Sequence, residues 1–263
     1  MTSLSDIVAH KLNEVKDRQK QAPMDTLTSR TFGIRDFAGG LTGESIQVIA
    51  EVKRKSPSIG DIRTDLDPTE IARAYEQAGA AAISVITDET FFGGCLGDLT
   101  EVRAGVSIPV LRKDFILHKY QVYESFHAGA DAILLIADAL SLPQLEELYR
   151  FAQSLSLQVL IEGHSQEALA TIRQLKPALA GINSRNLATM EVDLEATLQR
   201  RYLLPDGAIH VAESGIRTSR DLARVSLAGY DAALIGTALL IEDDPGMGLQ
   251  RLLNDLTLTG TLS

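Results

Sequence analysis

Tryptophan is absent from this 263-residue sequence, aromatic residues make up only 5% of it, and Cys95 is the single cysteine. A core must therefore be built from Leu, Ile, Val and Ala, and the interleaved aromatics on which single-stranded nucleic acids stack are missing. One thiol gives neither a disulfide framework nor a thiolate metal cluster, and it suits a reducing cytoplasm. Positive charge is scarce: 25 Lys and Arg face 35 Asp and Glu, for a formal net charge of -10. Nucleic-acid binding is disfavoured, because a phosphate backbone rewards Lys and Arg gathered on one basic face. A small anionic substrate stays open, since a few cations dominate a single pocket. No stretch reads as membrane-spanning. The amino-terminal segment intersperses Asp6, Lys11, Glu14, Lys16, Asp17 and Arg18 and lacks the apolar run of a signal peptide. The expectation is a cytoplasmic protein that binds neither nucleic acid nor membrane.

Apolar content is ample at 45% hydrophobic residues, enough for one sizeable core and one domain over residues 1–263. Short runs rich in Ile, Val and Leu alternate with longer amphipathic segments: Ile46 to Val52, Ala81 to Ile86, Ile108 to Leu111, Ala132 to Ile136 and Leu157 to Ile161. Leu179 to Ile182, Ile209 to Ala212 and Ala232 to Ile235 continue the series. Each run gives way to polar or glycine residues and then to a helical pattern. That is the order of a closed (β/α)8 barrel, whose strands are buried on both faces. Helix boundaries are marked as well, with Asp67 and Pro68 opening one segment and Gly79, Gly129 and Gly229 closing three. Ahead of the first run, Leu4 to Lys20 reads as an extra amphipathic helix within a 1–44 extension that contains Pro23. Amphipathicity leaves open whether this helix caps a barrel mouth or docks on the surface. An open doubly wound sheet would also alternate strands and helices, but no G-x-G-x-x-G turn follows the first run.

Barrel enzymes place their chemistry at the carboxyl ends of the strands. There the runs end in Glu51 and Lys53, in Lys113 and Asp114, in Glu162, in Asn183 and Arg185, and in Glu213. Glu51 and Lys53 share a strand face by the period of two. Any one of these side chains has an ordinary explanation as a solvated strand end or a structural ion pair. Converging on one mouth, they make a pocket able to donate protons, accept them and hold an anion. Ser214-Gly215 and Gly236-Thr237 follow the last two runs, where barrels often bind phosphate through backbone N–H groups. Plain turn chemistry accounts for the same small residues.

These motifs resemble the indole-3-glycerol phosphate synthase family along nearly the whole chain. The carriers are Asp6 to Lys11, Ile49 to Ser58, Asp67-Pro68 and Ala81 to Asp88, then Phe91 to Gly94, Lys113 to Phe115, Gly181 to Leu187 and Glu213 to Ile216. The resemblance implies ring closure, decarboxylation and dehydration of 1-(2-carboxyphenylamino)-1-deoxyribulose 5-phosphate to indole-3-glycerol phosphate in tryptophan biosynthesis. It implies Lys113 as general acid at the carbonyl oxygen, Glu162 as general base, and Lys53 with Glu51 as a second acid and its partner. It further implies that Asn183 orients substrate hydroxyls, that Glu213 completes the polar network, and that Arg185 and Ser56 hold anionic groups. Phe92 and Leu134 would wall the aromatic ring, although as apolar residues of a barrel they read equally as core. Ser214, Gly215, Gly236 and Thr237 would cradle the phosphate. No metal or organic cofactor is implied, and the partners are a phosphorylated small molecule and other tryptophan-pathway enzymes.

Two positions depart from the family pattern. Gly163 follows Glu162 where an aliphatic residue is more usual, and Ser184 follows Asn183 where a second asparagine is usual. A glycine there is expected to loosen the backbone beside the base and remove packing. Neither departure deletes a catalytic group, so activity is expected, with a paralogue serving a specialised pathway as one setting for it. Phosphoribosylanthranilate isomerase would share the phosphate loops but need a different acid and base, and the two lysines favour the synthase. A barrel that binds without turnover is the other rival, and retention of every acid and base speaks against it.

Overall fold

The apolar runs form eight parallel strands: β1 (Gln47–Val52), β2 (Ala82–Ile86), β3 (Val110–Lys113), β4 (Ala132–Ile136), β5 (Gln158–Gly163), β6 (Leu179–Asn183), β7 (Ile209–Glu213) and β8 (Ala232–Ile235). They close in the order β1-β8-β7-β6-β5-β4-β3-β2, so no edge is left unpaired. The computed structural model describes residues 3–27 and 30–259. This is the expected (β/α)8 barrel, with a helix ahead of the first strand. β3 starts and ends later than its apolar run, because Pro109 has no N–H to give the ladder and pairing continues through Arg112 and Lys113.

Side chains alternate between two cores. Val48, Ala50, Val85, Ile133, Leu135, Ile161 and Ala212 pack outward against the helices. Ile49, Ala82, Leu111, Leu134, Leu160, Leu179, Val211 and Leu234 fill the barrel interior. Following the inward positions toward the carboxyl ends, Ile49 gives way to Glu51, Leu111 to Lys113, Leu160 to Glu162 and Val211 to Glu213. The barrel is thus an apolar floor beneath a charged rim.

The extension reaches both ends of the barrel. Its helix α1 (Leu4–Gln21) opens with Ser3, whose hydroxyl accepts from the Asp6 N–H while the Asp6 carboxylate accepts from the Ser3 N–H at 2.9 Å. Ile7, Lys11 and Val15 form its buried stripe. Lys11 meets Asp88 and Asp114, which follow β2 and β3, so α1 lies at the carboxyl mouth. The chain then runs to the opposite end. Arg30 and Arg35 donate to the carbonyls of Ala130 and Ile108, just ahead of β4 and β3. Gln158, the first residue of β5, accepts from the Ala38 N–H at 2.7 Å. Phe37 and Leu41, both fully buried, plug the amino end of the interior.

Gly163 does not loosen the end of β5. It pairs with Ile182 in the ladder, and the helix Gln166–Leu175 occupies the space that a larger residue would need. A Cβ there would lie 3.0 Å from Ile172 Cδ1 and 3.1 Å from Ala168 Cβ. Gly163→Val is therefore expected to overpack this contact and destabilise the protein by about 1–3 kcal/mol. The loss should shrink when Ile172→Val is added. Urea denaturation of the single and double variants checks this, and an unchanged midpoint for Gly163→Val would sink it.

Candidate active site

At the carboxyl mouth lies a cavity of about 480 Å³, and every candidate residue taken from the sequence lines it. Strand registration does the assembly, because parallel pairing sets the strand ends side by side. Glu162 Oε1 accepts from the Asn183 amide at 3.3 Å, while Asn183 and Glu213 are partners in the ladder. From β3, the Lys113 ammonium reaches Glu162 and Glu213, at 3.7 Å from each. Glu51 is held separately by Lys53 at 2.6 Å.

Burial sets the protonation of this cluster against its charges. For Lys113, loss of water favours the neutral amine, but Glu162, Glu213 and Glu51 outweigh that and hold the ammonium above the ordinary lysine range. Burial together with the nearby Glu162 charge pushes Glu213 well above the usual carboxylate range, although Lys113 pulls the other way. Glu51 is just as buried, yet Lys53 and Lys113 more than offset its desolvation and keep it below that range. The mouth therefore combines a firmly held ammonium, a carboxylate held ionised and a carboxyl inclined to keep its proton.

The remaining candidates surround this cluster. Asn183 Oδ1 accepts from the Arg185 N–H at 2.9 Å, and the Arg185 guanidinium donates to the Met190 carbonyl. Ser56, in a short hairpin formed by Lys55–Ser56 and Gly60–Asp61, sits 3.3 Å from the Ser58 hydroxyl. Phe92 and Leu134 both face the cavity, Leu134 from the barrel interior and Phe92 from a turn capped by Asp88. Ser214 and Gly215 are both left-handed, with φ of 64° and 78°. For Ser214 that conformation costs about 1–2 kcal/mol. A Cβ on Gly236 would come within 2.4 Å of Glu51 Oε1, so this glycine makes room for the carboxylate. Thr237 begins the turn Thr237–Leu240 that follows.

Sequence reasoning missed other contributors. Ile7 of the extension, Asp88, Leu187, Val192 and Arg217 also line the cavity, as does Asp114 at the end of β3. Ile7 was legible in principle, since Ile7, Lys11 and Val15 recur at the helical spacing of one face. Ser184 is fully buried. Its N–H donates to the Glu213 carbonyl at 2.8 Å, and its hydroxyl meets no partner among the described residues. Nor, among the described residues, do three or more His, Cys, Asp or Glu side chains gather as metal ligands.

A closed parallel barrel with ionised groups converging at the carboxyl ends of its strands defines a TIM-barrel enzyme acting on a small polar substrate. Solved structures agree on the fold. The tryptophan synthase alpha chain of Legionella pneumophila superposes with a TM-score of 0.63 at 16% identity, covering 88% of this chain and 100% of its own. The 3-hexulose-6-phosphate synthase of Salmonella typhimurium gives 0.63 at 13% identity, over 81% and 99%. Sequence comparison is more specific. The family model described as indole-3-glycerol phosphate synthase matches residues 4–252. Proteins of that name from Albidiferax ferrireducens and Rhodopirellula baltica are 44% and 43% identical over 257 residues, covering 95% and 96% of this chain and 97% and 99% of theirs. The chain belongs to the indole-3-glycerol phosphate synthase family.

The position of Glu213 has a measurable consequence. A carboxyl whose pKa is raised by folding imposes no penalty below the unfolded-state value and destabilises the fold as pH rises through the raised value. Glu213→Gln is accordingly expected to unfold at higher temperature than the parent at pH 8, with the gain vanishing toward pH 4. Melting curves across that range check it, and a gain that grew on acidification would refute the assignment.

Proposed function

We propose that the barrel mouth is the active site of an indole-3-glycerol phosphate synthase, a carboxy-lyase that converts 1-(2-carboxyphenylamino)-1-deoxyribulose 5-phosphate to indole-3-glycerol phosphate, carbon dioxide and water. Family membership supports the reaction, and the observation that carries the residue assignment is the Lys113 ammonium held between Glu162 and Glu213.

In this reading the carboxylate-bearing ring carbon attacks the sugar-derived carbonyl. Charge develops on the carbonyl oxygen, and Lys113, kept charged by its acidic neighbours, stabilises it. An alkoxide is more basic than an alkylamine, so a proton moves from Lys113 to that oxygen as the new bond forms. Loss of carbon dioxide then restores the ring, and the hydroxyl departs as water. Lys53, close to Glu51, assists as the second acid and attracts the aryl carboxylate. Glu162 accepts the proton released as the indole double bond forms, with Asn183 orienting it and the substrate hydroxyls. Glu213 completes the polar network around Lys113. Arg185 and Ser56 hold anionic groups, Phe92 and Leu134 flank the ring, and Ser214, Gly215, Gly236 and Thr237 receive the phosphate.

The proposal treats the chain as one barrel unit with the 1–44 segment built onto it, which the contacts of Lys11, Arg30 and Arg35 support. A cytoplasmic setting suits the single free thiol of Cys95, and no helix among the described residues is long and apolar enough to cross a membrane. Association with other enzymes of tryptophan synthesis is part of the same reading.

Mixing the purified protein with the substrate, without added metal, should give a rise in indole fluorescence. Lys113→Ala is expected to lower kcat/KM by about 10³-fold while circular dichroism stays that of a folded barrel. Undiminished turnover by a folded Lys113→Ala variant would remove Lys113 from the mechanism.

A further inference from the structure

Lys11 is the least accessible lysine environment that the extension offers: its side chain is 1% exposed, and its ammonium makes ion pairs with three carboxylates. Glu14, at 3.1 Å, belongs to α1 itself. Asp88 at 2.7 Å and Asp114 at 3.1 Å belong to the barrel, at the ends of neighbouring strands. Both barrel carboxylates line the active-site cavity, as does Ile7 one turn before Lys11, while Lys11 is absent from its lining.

The two carboxylates lead to different parts of the site. Asp114 directly follows Lys113, accepts from the Phe115 N–H at 2.8 Å and from the Thr87 hydroxyl at 2.6 Å, and pairs with the buried Arg112 at 2.9 Å. It is the fixed point from which the end of β3 leaves the ladder. Asp88 accepts from the Phe91 and Phe92 N–H groups at 2.7 and 3.2 Å, and so holds the turn that directs Phe92 into the cavity. One ammonium therefore joins the strand end that carries the acid to the turn that carries an aromatic wall.

Stability is a weak explanation for such an arrangement. Burying a lysine and two aspartates is costly, and well-packed apolar residues in place of a buried ionic cluster are often as stable or more so. What apolar packing does not supply is a fixed distance between two loops. We propose that Lys11 is a positioning residue for the reaction, an ammonium donated by the amino-terminal helix that fixes Lys113 through Asp114 and Phe92 through Asp88. The proposal rests on the functional reading above. Lys113 is then placed by a group outside its own βα unit, and α1 is a working part of the active site. Because Lys113 acts on charge that develops in the transition state, loosening it falls mainly on kcat, whereas Phe92 packs on substrate and product alike.

The test compares the full chain with Lys11→Met and Asp88→Asn, well below their unfolding transitions, with circular dichroism as a check on folding. Substrate turnover gives kcat, and titration with indole-3-glycerol phosphate gives product affinity. Absence of turnover by the parent protein would defeat the functional reading itself, separately from this one. Lys11→Met is expected to lower kcat about tenfold or more while product affinity stays within about threefold. A purely structural lysine would shift the melting temperature and leave kcat alone. A folded Lys11→Met variant whose kcat falls less than about fivefold overturns the proposal, as does a loss expressed wholly in product binding. If Lys11→Met does not fold, Asp88→Asn decides, since it keeps the capping oxygen and replaces the carboxylate oxygen that holds Lys11 with an amide that cannot accept from its ammonium. A kcat lowered about threefold or more supports the proposal, and a smaller fall overturns it.

Discussion

Charges buried at the mouth of a barrel of apolar residues have to be balanced by other charges, because burial strips them of much of their water. The Lys113 ammonium is the centre of that balance. Glu162 and Glu213 flank it, Glu51 adds a more distant negative charge, and Glu51 is in turn neutralised by Lys53. Much of the local architecture follows. Gly236 stands beside Glu51 because a Cβ would occupy the carboxylate's place, and Gly181 stands in the same relation to Glu213 Oε1, at 2.8 Å. Two inward positions of the barrel are glycine so that two carboxylates fit beside a lysine.

A second ionic layer lies beside the first, and among the described residues no ion pair joins the two. Arg112 and Asp114 bracket Lys113 in sequence: Arg112 points to the outer side of β3, toward Thr87 and Glu124, and Asp114, at the cavity wall, is held by Arg112, Thr87 and Lys11. Alternation along the strand thus sends Lys113 to the cavity and Arg112 to a buried scaffold behind it, which Asp114 joins from the strand end. Burial would raise Asp114, yet Arg112 and Lys11 keep it far below the ordinary carboxylate range, so this scaffold stays charged wherever the cavity does.

The fold was legible because its signals are local. Eight apolar runs mark eight strands, and the change from Leu111 to Lys113 or from Leu160 to Glu162 shows at which end the polar groups collect. The site was legible for the same reason, since its candidate groups sit at or just past strand ends that the ladder aligns. The scaffold was not. Lys11 has no apolar run to announce its burial, and its partners lie far along the chain at Asp88 and Asp114. Only its place between Ile7 and Val15 on one helical face hints that it points inward. Gly163 misled in the other direction: a missing side chain in sequence is a filled space in the structure, because Ile172 comes from another element. Contacts between distant elements decide both cases, and periodicity does not report them.

The reach of the extension to both ends of the barrel bears on how the chain is made. Its described hydrogen bonds and ion pairs to the barrel run from Asp88 through Asp114, Glu124 and Asp131 to Gln158, all within β1 to β5 and their connections. A ribosome has therefore supplied every one of those partners before it reaches β6. Made ahead of the barrel, the extension has its partners at top and bottom while the last three strands are still to come. Those strands bring Asn183 and Glu213, so the ionic cluster around Lys113 has all its members only once the contacts at both ends have theirs.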